Sequence, residues 1–302
     1  MKTAIISSVS KKYFHLAEEL VDSINRFPDS KSISICLLDN GLEPEQISAI
    51  SKKIYSIKKS YPINEKYKNL NPIDYENLFL PEYFPEFDKF IHIDSDAWLN
   101  SWYAIEYLKR ASNNGKIGIC SMGDRKVDRV TRLIWLFRGI NLLKSQNYKH
   151  AIKKKFSIDV AREVGLRPHL NAGVFSLEKN SKFWGVWRKN FEFCIKNSSK
   201  KIYGSDQLSL NITVYIDRLE ADFLPHYCNW LPNTENVIFD EIKNKFVEKF
   251  TPNHEIGIMH LAGGKVSSCS SYNKKDIRFE DILLDVMTTR GEYIKKSFRF
   301  QK

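Results

Sequence analysis

The chain has 302 residues, 42% of them apolar and 13% aromatic, with a formal net charge of +11. That composition excludes a disordered chain, and the length suffices for a sizeable core. No apolar run reaches the roughly 18 residues of a membrane span, and the apolar stretch at the start is too short for a signal peptide. Five scattered cysteines (36, 120, 194, 228 and 269) form no CxxC pair. They indicate neither a disulfide framework nor a zinc site, and the expected compartment is the reducing cytoplasm.

In chain order, residues 3–9 read as a strand, and 13–26 as a helix with Ala17, Leu20, Val21 and Ile24 on one face. A buried strand is expected at 33–38, closing on a turn at Asp39-Asn40-Gly41. Residues 43–59 place Ile47, Ile50, Ile54 and Ile57 at spacings of three and four, which predicts an amphipathic helix. A Pro- and Tyr-rich stretch over 62–87, with a short helix near 75–80, leads into a strand that ends at Asp94. Further on, helices are expected at 98–110, 183–195 and 206–215, and strands at 116–120, 170–177, 221–224 and 257–261. The β-α-β-α order predicts an α/β fold with a mostly parallel sheet flanked by helices.

The charge is local. Residues 125–155 carry ten Lys and Arg against the single acid Asp128, and 290–302 carry five against Glu292, which leaves the remainder near neutral. The stretch at about 124–160 is expected to be a helical, basic insertion in a domain spanning 1–266, with 267–302 a basic, aromatic tail. Basic residues interleaved with aromatics suit an anionic membrane surface. Residues 125–155 and 290–302 are therefore expected to hold the protein peripherally on the inner face of the membrane. A solvated helix face explains the same charges.

Four motifs carry chemistry. The strand Phe90-Ile-His-Ile runs straight into Asp94-Ser95-Asp96. A strand ending in Asp-x-Asp sends both carboxylates to one side, at the sheet end where α/β proteins bind ligands. The pair repels itself unless a hard divalent cation joins it, and a diphosphate is that cation's natural further ligand. The second motif is His260-Leu-Ala-Gly-Gly-Lys265 after a short apolar strand, which suits phosphate and metal binding. Third, Asn171-Ala172-Gly173 interrupts an apolar strand, where a glycine marks a bulge or a close ligand. Fourth, Asp206-Gln207 opens a helix with Ser205 as the expected N-cap, and the helix dipole alone accounts for Asp206 there.

These motifs in this order resemble glycosyltransferase family 8, the retaining nucleotide-sugar transferases of the A-type fold. The resemblance covers about residues 1–266. It implies a hexosyltransferase in which Asp94, Asp96 and His260 bind Mn²⁺ (or Mg²⁺) and the metal bridges the phosphates of a UDP-sugar. Gly263 and Lys265 would hold the diphosphate, and Asn171 would touch the donor sugar, with Ser95 and Ala172 among the donor contacts. Asp206 and Gln207 would sit beside the anomeric carbon. The acceptor implied is a glycan or glycolipid of the bacterial surface, such as a lipopolysaccharide precursor. The family's lysine usually stands one residue further from the histidine, before Pro-Trp, and many members carry acids after the first strand. Here that loop is Ser7-Ser8-Val9-Ser10, and Tyr13 offers a stacking surface for a base.

Several alternatives stay open on sequence grounds: an inverting A-type enzyme, an inactive or regulatory sugar-nucleotide-binding protein, and a nucleotidyltransferase. A nucleic-acid partner is not expected, since the basic stretches lack a recognised binding motif and leave Asp94 and Asp96 unexplained.

Overall fold

The computed structural model describes residues 1–63, 65–122, 131–137, 140–198, 204–232, 237–261 and 283–297. In chain order the strand β1 (Thr3–Ser10) and helix α1 (Phe14–Asn25) precede β2 (Ser34–Asn40), α2 (Pro44–Ser51) and β3 (Ser56–Lys59). A run of short 3-10 turns and α3 (Leu80–Tyr83) lead into β4 (Lys89–Ile93), followed by β5 (Ala97–Leu99), α4 (Tyr103–Ala111) and β6 (Ile117–Ser121). The hairpin β7 (Thr131–Phe137) and β8 (Ile140–Ser145) comes next, then α5 (Gln146–Lys153) and α6 (Ile158–Gly165). The remainder is β9 (Leu170–Glu178), α7 (Phe183–Lys196), α8 (Ser205–Tyr215), β10 (Ala221–Leu224), β11 (Ile238–Asp240), β12 (Lys245–Val247), β13 (Ile258–His260), β14 (Leu283–Thr288) and β15 (Tyr293–Ser297).

Seven strands form the central sheet in the order β10-β6-β9-β4-β1-β2-β3. Every pairing is parallel except the two made by β9, which runs antiparallel to β4 and to β6. The expected mostly parallel α/β sheet is therefore present, with one reversed strand inside it. Alternation along β4 divides the core between the two faces. Phe90 packs with Phe175, Trp187 and Phe191 on the α7 side, while Ile91 and Ile93 pack with Leu20, Ile105 and Leu108 on the side of α1 and α4.

Several local expectations are corrected. The helix expected over 43–59 ends at Ser51, and Ser56–Lys59 is an edge strand paired with β2. The spacing from Ile54 to Ile57 is compatible with a helix, but pairing with the open edge of β2 overrides it. Asp39 and Asn40 complete β2, and the turn begins at Gly41, whose φ of +95° favours glycine. Within 98–110 the first residues are strand β5, and the helix begins at Tyr103. In the basic insertion expected to be helical, Thr131–Phe137 and Ile140–Ser145 pair as a hairpin, and helix starts at Gln146. Thr, Ile, Trp and Phe in that stretch have high β propensity, which the three- and four-residue spacing of its apolar residues concealed. The N-cap of α8 is Gly204 at φ +71°, and Ser205 lies buried inside the helix.

Outside the main sheet, β5 and β13 form a two-stranded antiparallel ladder that sets His260 opposite Ala97. From the stretch 267–302, β14 and β15 pair with each other, and β14 lies parallel to β11 in a second sheet. No described helix is long and apolar enough to cross a membrane.

Candidate active site

Two ladders converge on the end of β4. Because β9 runs backwards, its first residues lie beside the last residues of β4, and Asp94 N–H donates to the Gly173 carbonyl at 2.8 Å. The β5–β13 ladder continues into a bond from Leu261 N–H to the Asp96 carbonyl at 3.0 Å. The outcome is a cluster of Asp94, Asp96 and His260 whose candidate ligand atoms all lie within 4.8 Å of one another. His260 Nε2 stands 3.2 Å from Asp96 Oδ1 and 3.5 Å from Asp94 Oδ2. His92, two residues before Asp94 on the same strand face, reaches Asp94 Oδ1 with Nε2 at 3.0 Å.

A chain of amides orients His260. Gly173 N–H can only donate, so the atom it meets at 2.9 Å is the Asn171 carbonyl oxygen. That oxygen also receives Asn229 Nδ2 at 3.1 Å, which turns the Asn229 oxygen toward His260 Nδ1, again at 3.1 Å. Nδ1 therefore carries a proton, and Nε2 is the nitrogen aimed at the two carboxylates. A metal-binding histidine is held in this way, by an acceptor on its other nitrogen.

The electrostatics agree. Burial alone would raise the Asp94 carboxyl, but the bond from His92 and the charge of His260 outweigh it and hold the group below its ordinary value. Burial alone would lower His260, and Asp96 and Asp94 together lift it above the ordinary imidazole range. A proton on Nε2 thus plays the part that a divalent cation would take, and the donor set of two carboxylates and one imidazole fits such a cation. The Gly173 backbone also packs directly against two of these side chains. A Cβ on Gly173 would lie 2.4 Å from Asp94 Oδ2 and 2.4 Å from His260 Cε1.

No protein-family model matches the chain, and no curated protein matches it in sequence. Solved structures do. The apo structure of WbbM, a bifunctional glycosyltransferase, superposes with a TM-score of 0.55 at 18% identity, over 87% of this chain and 46% of WbbM. The galactosyltransferase LgtC, in complex with donor and acceptor sugar analogs, gives 0.54 at 14% identity, over 87% of this chain and 88% of LgtC. The apo glycosyltransferase GlyE of Streptococcus pneumoniae TIGR4 gives 0.51 at 16% identity, over 88% of this chain and 55% of GlyE. The chain thus spans less than half of WbbM and most of LgtC. The fold is that of the A-type glycosyltransferases.

Within this glycosyltransferase fold a cavity of about 280 Å³ opens beside the cluster. Asp94, Ser95, Asp96, Ala172, Asp206, Gln207, Ser8 and Tyr13 all line it, which joins most of the residues singled out in the sequence. Ser7 is buried in β1 and Asn171 stands behind the cavity wall, one residue from Ala172. Gly263 and Lys265 lie outside the described residues. Residues that the sequence did not single out also line the cavity: His92, Asp74 and Asn77. His92 was legible in principle, because i and i+2 on a strand share a face. Asp74 and Asn77 come from irregular turns, and Asn229 acts from a loop; no spacing rule reaches them.

Asp206 sits in the first turn of α8 and lines the same cavity as Asp94 and Asp96. Burial pushes its carboxyl up to about 6, and the charges of Asp94 and Asp74 add to that, against an opposing backbone bond from Gln207. The site therefore places one carboxyl that resists ionisation beside a cluster that favours positive charge.

Gly173→Ala is expected to lower Mn²⁺ affinity by at least about tenfold in titration calorimetry, with an unchanged circular dichroism spectrum, because the added methyl would push the Asp94 and His260 side chains apart. Unaltered affinity would count against this metal site. Asp206 gives a second expectation. Its folded value lies above the ordinary 3.8, so the folded state prefers the protonated acid. This group then costs stability progressively as pH rises from about 4 to about 6. Asp206→Asn should stabilise the protein by about 1–3 kcal/mol near pH 7.5, the gain shrinking toward zero near pH 4. Melting curves showing an equal gain at both pH values would refute the burial argument.

Proposed function

We propose that the chain is a divalent-metal-dependent glycosyltransferase of family 8 type, moving a hexose from a UDP-sugar to a glycan or glycolipid acceptor with retention of configuration. The observation that carries this reading is that Asp94 and Asp96, clustered with His260, line one cavity with Asp206 and Gln207. A nucleotide-sugar needs both parts, a cation site for the diphosphate and polar groups beside the anomeric carbon. LgtC, whose solved complex contains donor and acceptor sugar analogs, has the same fold.

In this reading Asp94, Asp96 and His260 hold Mn²⁺ or Mg²⁺, which supplies charge to offset that gathering on the departing phosphate. Ser8 and Tyr13, which line the same cavity, would face the base, and Ala172 and Ser95 would bound the diphosphate and sugar. Asp206 faces the positive charge that develops at the anomeric carbon, either as stabiliser or as nucleophile. Its raised pKa fits a group whose ionised form gains a counter-charge only as the transition state forms. The surface-glycan role and a cytoplasmic site of action on the membrane's inner face belong to the same proposal.

The test is donor turnover with Mn²⁺ across UDP-, GDP- and TDP-sugars. Wild-type protein should turn over a UDP-sugar, and Asp94→Asn or Asp96→Asn should reduce the rate by at least about a hundredfold while the fold is retained. Equal rates in wild type and both variants would remove the metal from the reaction. A wild type that binds a donor tightly but never turns it over would instead identify a binding protein. Flotation with anionic liposomes tests the membrane contact: loss of binding on removal of 290–302 is expected, and undiminished binding argues against that segment's role.

A further inference from the structure

A second cavity, of about 150 Å³, adjoins the first and shares Ile73, Asp74, Asp206 and Gln207 with it. Much of its remaining wall comes from the start of α5, with Gln146, Asn147 and His150, and from Gly204 just before α8. α5 lies in the insertion at about 124–160, so that segment reaches the site by way of this cavity. Asn147 is buried, while Ile73, Asp74 and Gln146 are exposed, which gives a closed floor and a rim in contact with solvent.

The polar groups of the cavity divide into two sets. Asn147 is committed. Its Nδ2 donates at 3.2 Å to the Asn211 oxygen, which Leu170 N–H also meets at 3.0 Å, and its own oxygen stands 2.7 Å from His169 Nδ1. The side chains of Asp74, Gln146 and His150, in contrast, have no hydrogen-bond partner among the described residues. The His150 ring is nevertheless held in place, since a Cβ on Gly204 would lie 3.0 Å from its Nδ1 and 3.0 Å from its Cε1.

Charge and size narrow what this space accepts. Burial, with the charges of Lys153, Lys154 and Lys149, holds His150 below the ordinary imidazole value, and a neutral ring donates at one nitrogen and accepts at the other. Burial holds the Asp74 carboxyl above its ordinary value, and the charge of Asp74 in turn raises Asp206. Two carboxyls at the junction of the cavities disfavour an anion. Groups that both donate and accept suit hydroxyls, and exposed Ile73 offers an apolar surface to ring carbons. At about 150 Å³ the space is well below the roughly 300 Å³ that encloses a drug-sized ligand, which limits it to a single ring.

We infer that this second cavity is an acceptor subsite, which takes the terminal ring of a neutral saccharide against a wall of Asp74, Gln146 and His150. The inference rests on the transferase reading and adds to it a substrate class and the residues that select it. Transfer needs an acceptor hydroxyl at the anomeric carbon, and Asp206 and Gln207, which would flank that carbon, line both cavities.

Binding and turnover test it separately. Methyl glycosides of glucose, galactose, mannose and N-acetylglucosamine are titrated by saturation-transfer NMR against protein in UDP and Mn²⁺, with glucose 6-phosphate and galactose 6-phosphate as anionic counterparts. At least one neutral glycoside should bind, and more tightly than either phosphate. His150→Trp fills the cavity and should weaken that binding at least about tenfold, with UDP affinity retained. Gln146→Ala, at the exposed rim, should weaken it at least about threefold and carries the test if the tryptophan prevents folding. Absence of glycoside binding, tighter binding of a 6-phosphate, or full binding in both variants would overturn the assignment. Loss of UDP affinity would overturn it too, by giving the cavity to the donor. In turnover, the ratio of transfer to donor hydrolysis should fall in both variants, through a higher acceptor KM. A wild type that turns over no donor yet binds a neutral glycoside through His150 and Gln146 would remove the transferase reading and leave the saccharide site standing.

Discussion

The site depends on one reversal of direction. In an all-parallel sheet the start of β9 would lie at the opposite end from Asp94. Because β9 is antiparallel, its opening residues meet the closing residues of β4, and the Asp94 N–H to Gly173 carbonyl bond joins them. Gly173 must be small for that approach, Asn171 orients His260 through Asn229, and Ala172 forms cavity wall. One strand thus furnishes backbone anchor, room and orienting amide for three ligand atoms that it does not itself carry.

The same economy appears in the polar interior. Buried amides are costly unless each oxygen and each NH₂ is matched, and matching one end of a chain dictates the rest. Two such chains run through this fold, one from Gly173 N–H to His260 and the other from Leu170 N–H to His169. Both begin at backbone donors of β9 and both end on an imidazole. The carboxylates are handled differently: Asp94 is met by His92 and His260, whereas Asp206 bears the cost of burial against backbone hydrogen bonds alone. That contrast sets a carboxylate that favours ionisation and a carboxyl that resists it within one cavity.

Much of this was legible in the sequence, for physical reasons. Phe90-Ile-His-Ile-Asp has the β period and an abrupt change to carboxylates, so the position of Asp94 and Asp96 at a strand end followed directly. The strands β1, β2 and β9 were marked by apolar runs and the helices α1 and α7 by helical periodicity. Apolar residues three apart misled at Ile54 and Ile57 and in 131–145, where unfilled hydrogen bonds at a neighbouring strand decide the outcome and a helical spacing does not register them. The reversal of β9 was invisible, because strand polarity leaves no trace in a buried run of nine residues. His169, two residues before Asn171, belongs to no motif; its two amides come from 22 and 38 residues away in the chain.

The β5–β13 ladder joins Ala97–Leu99 to Ile258–His260, so the third ligand of the cluster arrives from a segment far along the chain. During synthesis, β4 and the two carboxylates emerge long before their histidine does. Until then the acidic pair has no third member to complete its cluster. Pairing across so long a loop comes late in folding, once the local helices and neighbouring strands have reduced its entropic cost. The cluster is thus assembled by a three-residue strand pairing with a segment far earlier in the chain.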